Sequence, residues 1–372
     1  MTANLRQSAG SLLVVGLEGT ELSNLERAWL KLVRPAGIIL FRRNIEDAKQ
    51  TRTLLDEATA LCAAHSLRCV DVEGGTVDRL RDALAPMPSA QAVMQAATST
   101  RKTKLIREQG ELIAQSIKAF GFNTTLAPVM DLALPASTKV MGTRAAASTP
   151  EGVVEYARNF LAGLAKHGVL GCGKHFPGLG GGTLDSHQET PSIHRTLRQL
   201  NSEDLVPYRE LRRELPMIML NHAAYPQTPG GNLPASASPY WITTVLRKQI
   251  GYRGLIFSDD LEMGGILKFM PIEDAAVAAT RAGMDLIEIC HSPDLIMRAY
   301  EALLTEAERS AAFRKLLLTR AAQTAKQRTK LFARGIPSAL SAKNFASLRN
   351  RIQRFNQTIS NSQPNPHEAQ SA

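Results

Sequence analysis

What most limits the fold of this chain is an alternation that repeats along most of its length. Apolar runs of strand length at 12–17, 37–41, 67–72, 123–130, 170–175, 217–222, 255–259 and 285–290 are separated by stretches of helical character at 23–33, 47–65, 103–120, 150–167, 238–250, 272–282 and 293–307. A short, continuously apolar run fits a strand covered on both faces, and such strands separated by helices build a parallel sheet with crossover helices. Eight repeats of the unit predict an α/β fold, a single (β/α)8 barrel of the TIM type. An open doubly wound sheet would want a G-x-G-x-x-G turn directly after the first strand, and Gly16-Leu17-Glu18-Gly19-Thr20 does not supply it. At 372 residues the chain suits one barrel with insertions.

The formal net charge of +10 suggests a nucleic-acid binder until it is located. From 309 to 372 there are twelve Lys and Arg against one acid, Glu368, which leaves 32 basic and 33 acidic groups in the first 308 residues. The body is therefore near neutral and is not a polyanion binder. This shift in composition divides the chain into a catalytic barrel at 1–308, a basic helical extension at 309–356 and a disordered tail at 357–372. The four cysteines, Cys62, Cys69, Cys172 and Cys290, show no C-x-x-C spacing and read as small buried apolar residues in a reducing cytoplasm. No apolar run is long enough for a membrane span, and the run at 11–17 is too short and wrongly flanked for a signal peptide, so a soluble cytoplasmic monomer is expected.

Barrel active sites gather at the C-terminal ends of the strands and in the loops that follow. Polar residues fall there repeatedly: Asp71 and Glu73 at the end of the third run, Asp131 and Arg144 after the fourth, and Lys174 and His175 at the end of the fifth. Asn221 and His222 end the sixth, Asp259 and Asp260 the seventh, and His291 follows the eighth. Together they predict a polar pocket. The fifth run leads into Pro177-Gly178-Leu179-Gly180-Gly181-Gly182-Thr183-Leu184-Asp185-Ser186-His187, too rich in glycine for helix or strand. An Asp and a His two residues apart on such a loop make a plausible acid/base device.

Several stretches resemble the glycoside hydrolase family 3 β-N-acetylhexosaminidases of the bacterial cell-wall recycling type. They are Gly37-Ile38-Ile39-Leu40-Phe41-Arg42-Arg43-Asn44, Asp71-Val72-Glu73-Gly74-Gly75, Ala127-Pro128-Val129-Met130-Asp131, Gly142-Thr143-Arg144, Lys174-His175-Phe176-Pro177-Gly178 with Asp185-Ser186-His187, and Phe257-Ser258-Asp259-Asp260-Leu261. The likeness runs from about Gly16 to Ala307. It implies a retaining mechanism in which Asp259 attacks the anomeric carbon, although strand alternation alone does not choose Asp259 over Asp260. It further implies that His187 is the acid and then the base, with Asp185 on its other ring nitrogen. Asp71, Arg79, Arg144, Lys174, His175 and His222 would line the sugar subsite. The chain departs from the family pattern at Thr76, Leu179, Gly181 and Ala145-Ala146, and none of these is a proposed catalytic group.

The implied activity is removal of terminal β-linked N-acetylglucosamine from muropeptides or chitooligosaccharides, with no cofactor. Phosphate in place of water as acceptor, and β-glucosidase activity, remain alternatives. A Schiff-base aldolase using Lys174 is a reading from another class, as is a sugar-binding protein without catalysis. A metal amidohydrolase would want a His-x-His pair near a strand end; none is present, and no metal is expected.

Overall fold

The computed structural model describes residues 2–182, 191–332 and 341–362. Its eight barrel strands are β1 (Leu13–Gly16), β2 (Gly37–Leu40), β3 (Leu67–Val70), β4 (Thr124–Thr125), β5 (Leu170–Phe176), β6 (Met217–Leu220), β7 (Leu255–Asp260) and β8 (Leu286–Ile289). Each pairs in parallel with its sequence neighbours, and β8 pairs back onto β1 to close the barrel. All eight expected runs are strands. Helices Asn24–Val33, Ala48–Thr59, Lys104–Ala119, Pro150–Lys166, Ile272–Ala282 and Pro293–Arg309 lie where the helical stretches are, and Tyr240–Gln249 is a π-helix.

The barrel strands run apolar because both of their faces are covered. On β1, Leu13 and Val15 join the cluster shared with the helices, while Val14 joins an inner cluster with Ile39, Cys69, Leu126, Cys172, Met219, Phe257 and Leu286. The period of two carries the inner face upward to the C-terminal mouth, so that Asp71, Lys174 and Asp259 stand one step above Cys69, Cys172 and Phe257. The same filling accounts for Cys69, Cys172 and Cys290; all four cysteines are free and buried.

Where the structure departs from the sequence reading, the causes are local. β4 was expected over 123–130 but has regular pairing only at Thr124–Thr125, because Pro128 has no N–H to give the ladder. Contact with β5 continues irregularly through Cys172 N to Ala127 O at 2.8 Å and Met130 N to Lys174 O at 2.6 Å. Several helices have no counterpart in that reading, among them the short ones at Leu197–Ser202 and Val206–Glu210. Thr2–Gly10 packs on the helices at 293–309 and 311–331, and Ala90–Thr100, capped by Ser89, is too rich in Ala, Ser and Thr to show a strong apolar stripe.

The basic extension is held tightly against the barrel. Helix Ala311–Leu331 buries Phe313, Leu317, Ala321, Thr324 and Arg328 along one face. Arg328 is 1% exposed, and its Nη1 donates to the carbonyls of Ala36, Ala64 and His65 at 3.0–3.3 Å, under the N-terminal ends of β2 and β3. Leu331 and Phe332 then pack against the inner cluster, closing the bottom of the barrel. Helix Ala342–Asn361 buries Leu348, Ile352, Phe355 and Ile359 against the helices at 90–100 and 104–119. It runs past 356, where the sequence reading ended the extension, and residues 363–372 lie outside the described residues. Many of the tail's cations have structural partners: Arg349 donates to Leu84 O, Arg351 to Gln115 Oε1 and Arg320 to Asp285 Oδ1. No helix among the described residues is long and apolar enough to cross a membrane.

Burial holds the Arg328 guanidinium down, to about 10, so it remains protonated at neutral pH, and the carbonyls of Ala36, Ala64 and His65 face its charge. Arg328→Ala should therefore cost about 3 kcal/mol, the scale for hydrogen bonds to a charged group, read as a lower urea midpoint at pH 7. An unchanged midpoint would show that the helix at 311–331 does not stabilise the barrel through this residue.

Candidate active site

The mouth of the barrel is organised around one buried carboxylate, Glu73, in the short hairpin strand Val72–Gly74 directly after β3. It is 3% exposed and meets two cations. Arg144 approaches it with both Nε (2.8 Å) and Nη2 (2.9 Å), and Lys174 Nζ lies 2.6 Å from Oε1. The same Nζ donates to Asp71 Oδ1 at 2.8 Å, and Arg79 Nη2 stands 3.8 Å from Asp71 Oδ2. Burial alone would raise the pKa of Glu73, but Arg144 and Lys174 outweigh it and hold the carboxyl well below the usual carboxylate range. For Lys174 burial favours the neutral amine, yet Asp71 and Glu73 outweigh that and drive its pKa above the ordinary lysine value. Lys174 is thus a fixed ammonium and a poor Schiff-base nucleophile, which counts against the aldolase reading.

A second pair sets the neighbouring wall. Asp131 is 1% exposed, and its Oδ2 lies 2.6 Å from His175 Nδ1, while its Oδ1 accepts the Leu179 N–H at 2.7 Å. With Nδ1 donating to the carboxylate, Nε2 of His175 carries the lone pair and faces Arg144 Nη2 at 3.4 Å. Asn221 Nδ2 donates to the His175 carbonyl at 3.0 Å and also meets Tyr225 Oη at 2.9 Å; that hydroxyl donates to Gly178 O at 2.8 Å. The chain leading out of β5 is therefore fixed as far as its first glycines.

Asp259 continues the inward-facing row of Leu255 and Phe257 on β7. Its Oδ1 accepts the Asp260 N–H at 3.0 Å. Burial pushes its pKa up, but the facing His175 and His222 and the Lys174 ammonium outweigh burial and hold Asp259 below the ordinary aspartate value. It is ionised at neutral pH. Asp260 instead accepts the Glu262 N–H at 3.0 Å and faces His291 at 3.5 Å, away from the row that carries Asp259.

Of the residues expected to line a sugar subsite, Asp71, Arg79, Arg144, Lys174 and His175 form one connected cluster. His222 differs: it is fully buried, with Nδ1 2.7 Å from Ser236 Oγ and Nε2 2.9 Å from the Asp260 carbonyl. Both ring nitrogens are engaged by protein, and through the Asp260 carbonyl the imidazole supports the end of β7. Asp185 and His187 lie outside the described residues. Glu73, Asp131 and Asn221 had been singled out only as polar residues near strand ends; their partners come from other strands and leave no trace in local sequence.

A buried lysine and a half-buried arginine face Glu73, so Glu73→Ala should cost about 3–5 kcal/mol, the scale for breaking a buried ion pair from one side. Because its folded pKa is depressed, the contribution of Glu73 is complete above the ordinary glutamate value of 4.5 and is lost as the pH falls below it. Urea midpoints of the two proteins, measured down to acid pH, should therefore converge. A difference that persists unchanged in acid would remove the ionic origin assigned here.

With the fold and site laid out, comparison with known proteins gives a consistent result. The model for the glycosyl hydrolase family 3 N-terminal domain matches residues 4–317. A β-hexosaminidase from Alkalilimnicola ehrlichii is 40% identical over 287 residues, spanning 76% of this chain and 82% of the relative. Native NagZ from Neisseria gonorrhoeae superposes with a TM-score of 0.77 at 28% identity, covering 95% of this chain and 98% of that one. A family 3 β-N-acetylglucosaminidase from a Paenibacillus species gives a TM-score of 0.84 at 30% identity over 94% of this chain and 68% of that one. A barrel that sets an ionised aspartate at the end of β7 beside a Lys-His pair at the end of β5, matched along most of its length, belongs to glycosyl hydrolase family 3.

Proposed function

We propose that this protein is a retaining exo-β-N-acetylglucosaminidase acting on terminal β-linked N-acetylglucosamine in muropeptides or chitooligosaccharides. The observation that carries the reading is Asp259, an ionised carboxylate at the mouth of a family 3 barrel, flanked by Lys174, His175 and His222, which hold its pKa down. A carboxylate in that state can attack the anomeric carbon, stabilise the oxocarbenium-like transition state and leave again in the second step. The neighbouring cluster suits a sugar ring. Asp71 can accept from hydroxyls while Arg79, Arg144 and Lys174 donate, and His175, its tautomer set by Asp131, offers an acceptor at Nε2. His187 is assigned protonation of the leaving oxygen and then deprotonation of the attacking water, with Asp185 holding its other nitrogen. An imidazole paired with a carboxylate titrates in the range that both tasks need. The names of the relatives support N-acetylhexosaminide chemistry. A cytoplasmic monomer completes the reading, in keeping with four unpaired, buried cysteines.

Two substitutions test the assignment. Asp259→Ala should nearly abolish turnover of a nitrophenyl N-acetyl-β-glucosaminide in a folded protein; near-normal turnover would move the nucleophile elsewhere. His187→Ala should lower kcat/KM for chitobiose or a muropeptide by roughly two orders of magnitude or more, the scale of general acid catalysis. It should lower kcat/KM for the nitrophenyl substrate much less, because nitrophenolate departs without a proton. An equal loss on both substrates would make His187 a positioning residue. Product analysis with and without phosphate then identifies the acceptor, free N-acetylglucosamine being expected in both.

A further inference from the structure

Next to the site, but outside the row that carries Asp259, the ends of β7 and β8 bring together three side chains of the types that bind transition metals. One ligand atom each of Asp260, Cys290 and His291 lies within 4.8 Å of the other two. The strands are barrel neighbours with Glu288 in register with Asp260, so the grouping is fixed by the sheet. His291 Nδ1 is 3.5 Å from Asp260 Oδ2, close to the roughly 3.5 Å that separates two ligands of a tetrahedral ion bound at about 2.0–2.3 Å. At the floor, Cys290 Sγ lies 3.2 Å from Glu288 Oε1. Glu288 is 3% exposed, and its second oxygen, Oε2, has no hydrogen-bond partner among the described residues. The Glu288 carboxyl thus backs the Cys290 thiol from beneath.

We propose that Asp260, Cys290 and His291, with Glu288 beneath them, bind a thiophilic divalent cation of the zinc class. One sulfur, one imidazole nitrogen and carboxylate oxygens are the donors of a tetrahedral zinc or cobalt site; magnesium and calcium prefer oxygen alone. The His291 side chain is 54% exposed, which leaves an entry from solvent, while Cys290 and Glu288 form a closed floor. Binding exchanges the His291 Nδ1 contact with Glu262 Oε2, 2.9 Å long, for a metal bond. Arg43 opposes the ion from one side, its Nη2 donating to the Cys290 carbonyl at 2.7 Å, but the carboxyls of Asp260 and Glu262, 3.5 and 2.9 Å from His291 Nδ1, and that of Glu288, 3.2 Å from Cys290 Sγ, offset it. The site bears on the reaction through the backbone, since the Asp260 N–H is the donor to Asp259 Oδ1. The absence of a His-x-His pair had suggested no metal; here the ligands converge from two strands that only barrel closure makes adjacent.

The experiment reads the ion directly and does not depend on glycosidase activity. Metal-free full-length protein is titrated with Co2+, whose thiolate charge-transfer absorption in the near ultraviolet reports a cysteine ligand. Wild type should bind one ion with that absorption; Cys290→Ser should lose it; and His291→Asn, a change at an exposed side chain, should weaken binding by more than about 100-fold. His187→Ala should bind as wild type does. Absence of the thiolate band in wild type, its persistence in Cys290→Ser, unchanged affinity in His291→Asn, or loss of binding in His187→Ala would each overturn the proposal. Thermal melts of all variants without metal accompany the titrations, and His291→Asn decides the matter if Cys290→Ser fails to fold.

Discussion

The mouth of this barrel depends on a buried carboxylate held between a buried lysine and a half-buried arginine. Glu73 keeps Arg144 and Lys174 in place, and Lys174 in turn reaches Asp71. Removing any one charge leaves others stranded in a poorly solvated environment, so the group stands or falls together. That cooperativity suits a site that must present several polar atoms to one sugar ring without rearranging. The ammonium of Lys174 also helps to keep Asp259 ionised, so the network that shapes the pocket also sets the charge of that carboxylate.

A second layer of residues acts on the first without facing a ligand. Asp131 sets the tautomer of His175 and anchors Leu179 N, Asn221 and Tyr225 hold the backbone on either side of Pro177, and His222 grips the carbonyl of Asp260. Each of these side chains comes from a strand end different from that of its partner. The barrel thus positions its chemistry by cross-strand bonds, and the loop that carries Asp185 and His187 departs from a rigid base.

At the opposite end, the cationic extension does a mechanical job. Its charge invites comparison with polyanion-binding tails, yet Arg328 is spent on three backbone carbonyls under the barrel, and Arg320, Arg349 and Arg351 bond to the body. A composition count is blind to this, because the partners are mostly carbonyl groups that every residue carries.

Local sequence determined the strands, most of the helices and the positions of Asp71, Lys174 and Asp259, since apolar period and strand-end placement are properties of contiguous residues. The same information could not tell which of Asp259 and Asp260 continues the inward row of β7, pair Asp131 with His175 or Glu73 with Arg144, tie His222 to the Asp260 carbonyl, or bring Cys290 and His291 to Asp260. Those outcomes were decided by closure of the barrel. It sets the register between strands far apart in the chain and so determines which polar groups, alike in sequence, face ligand, protein or one another.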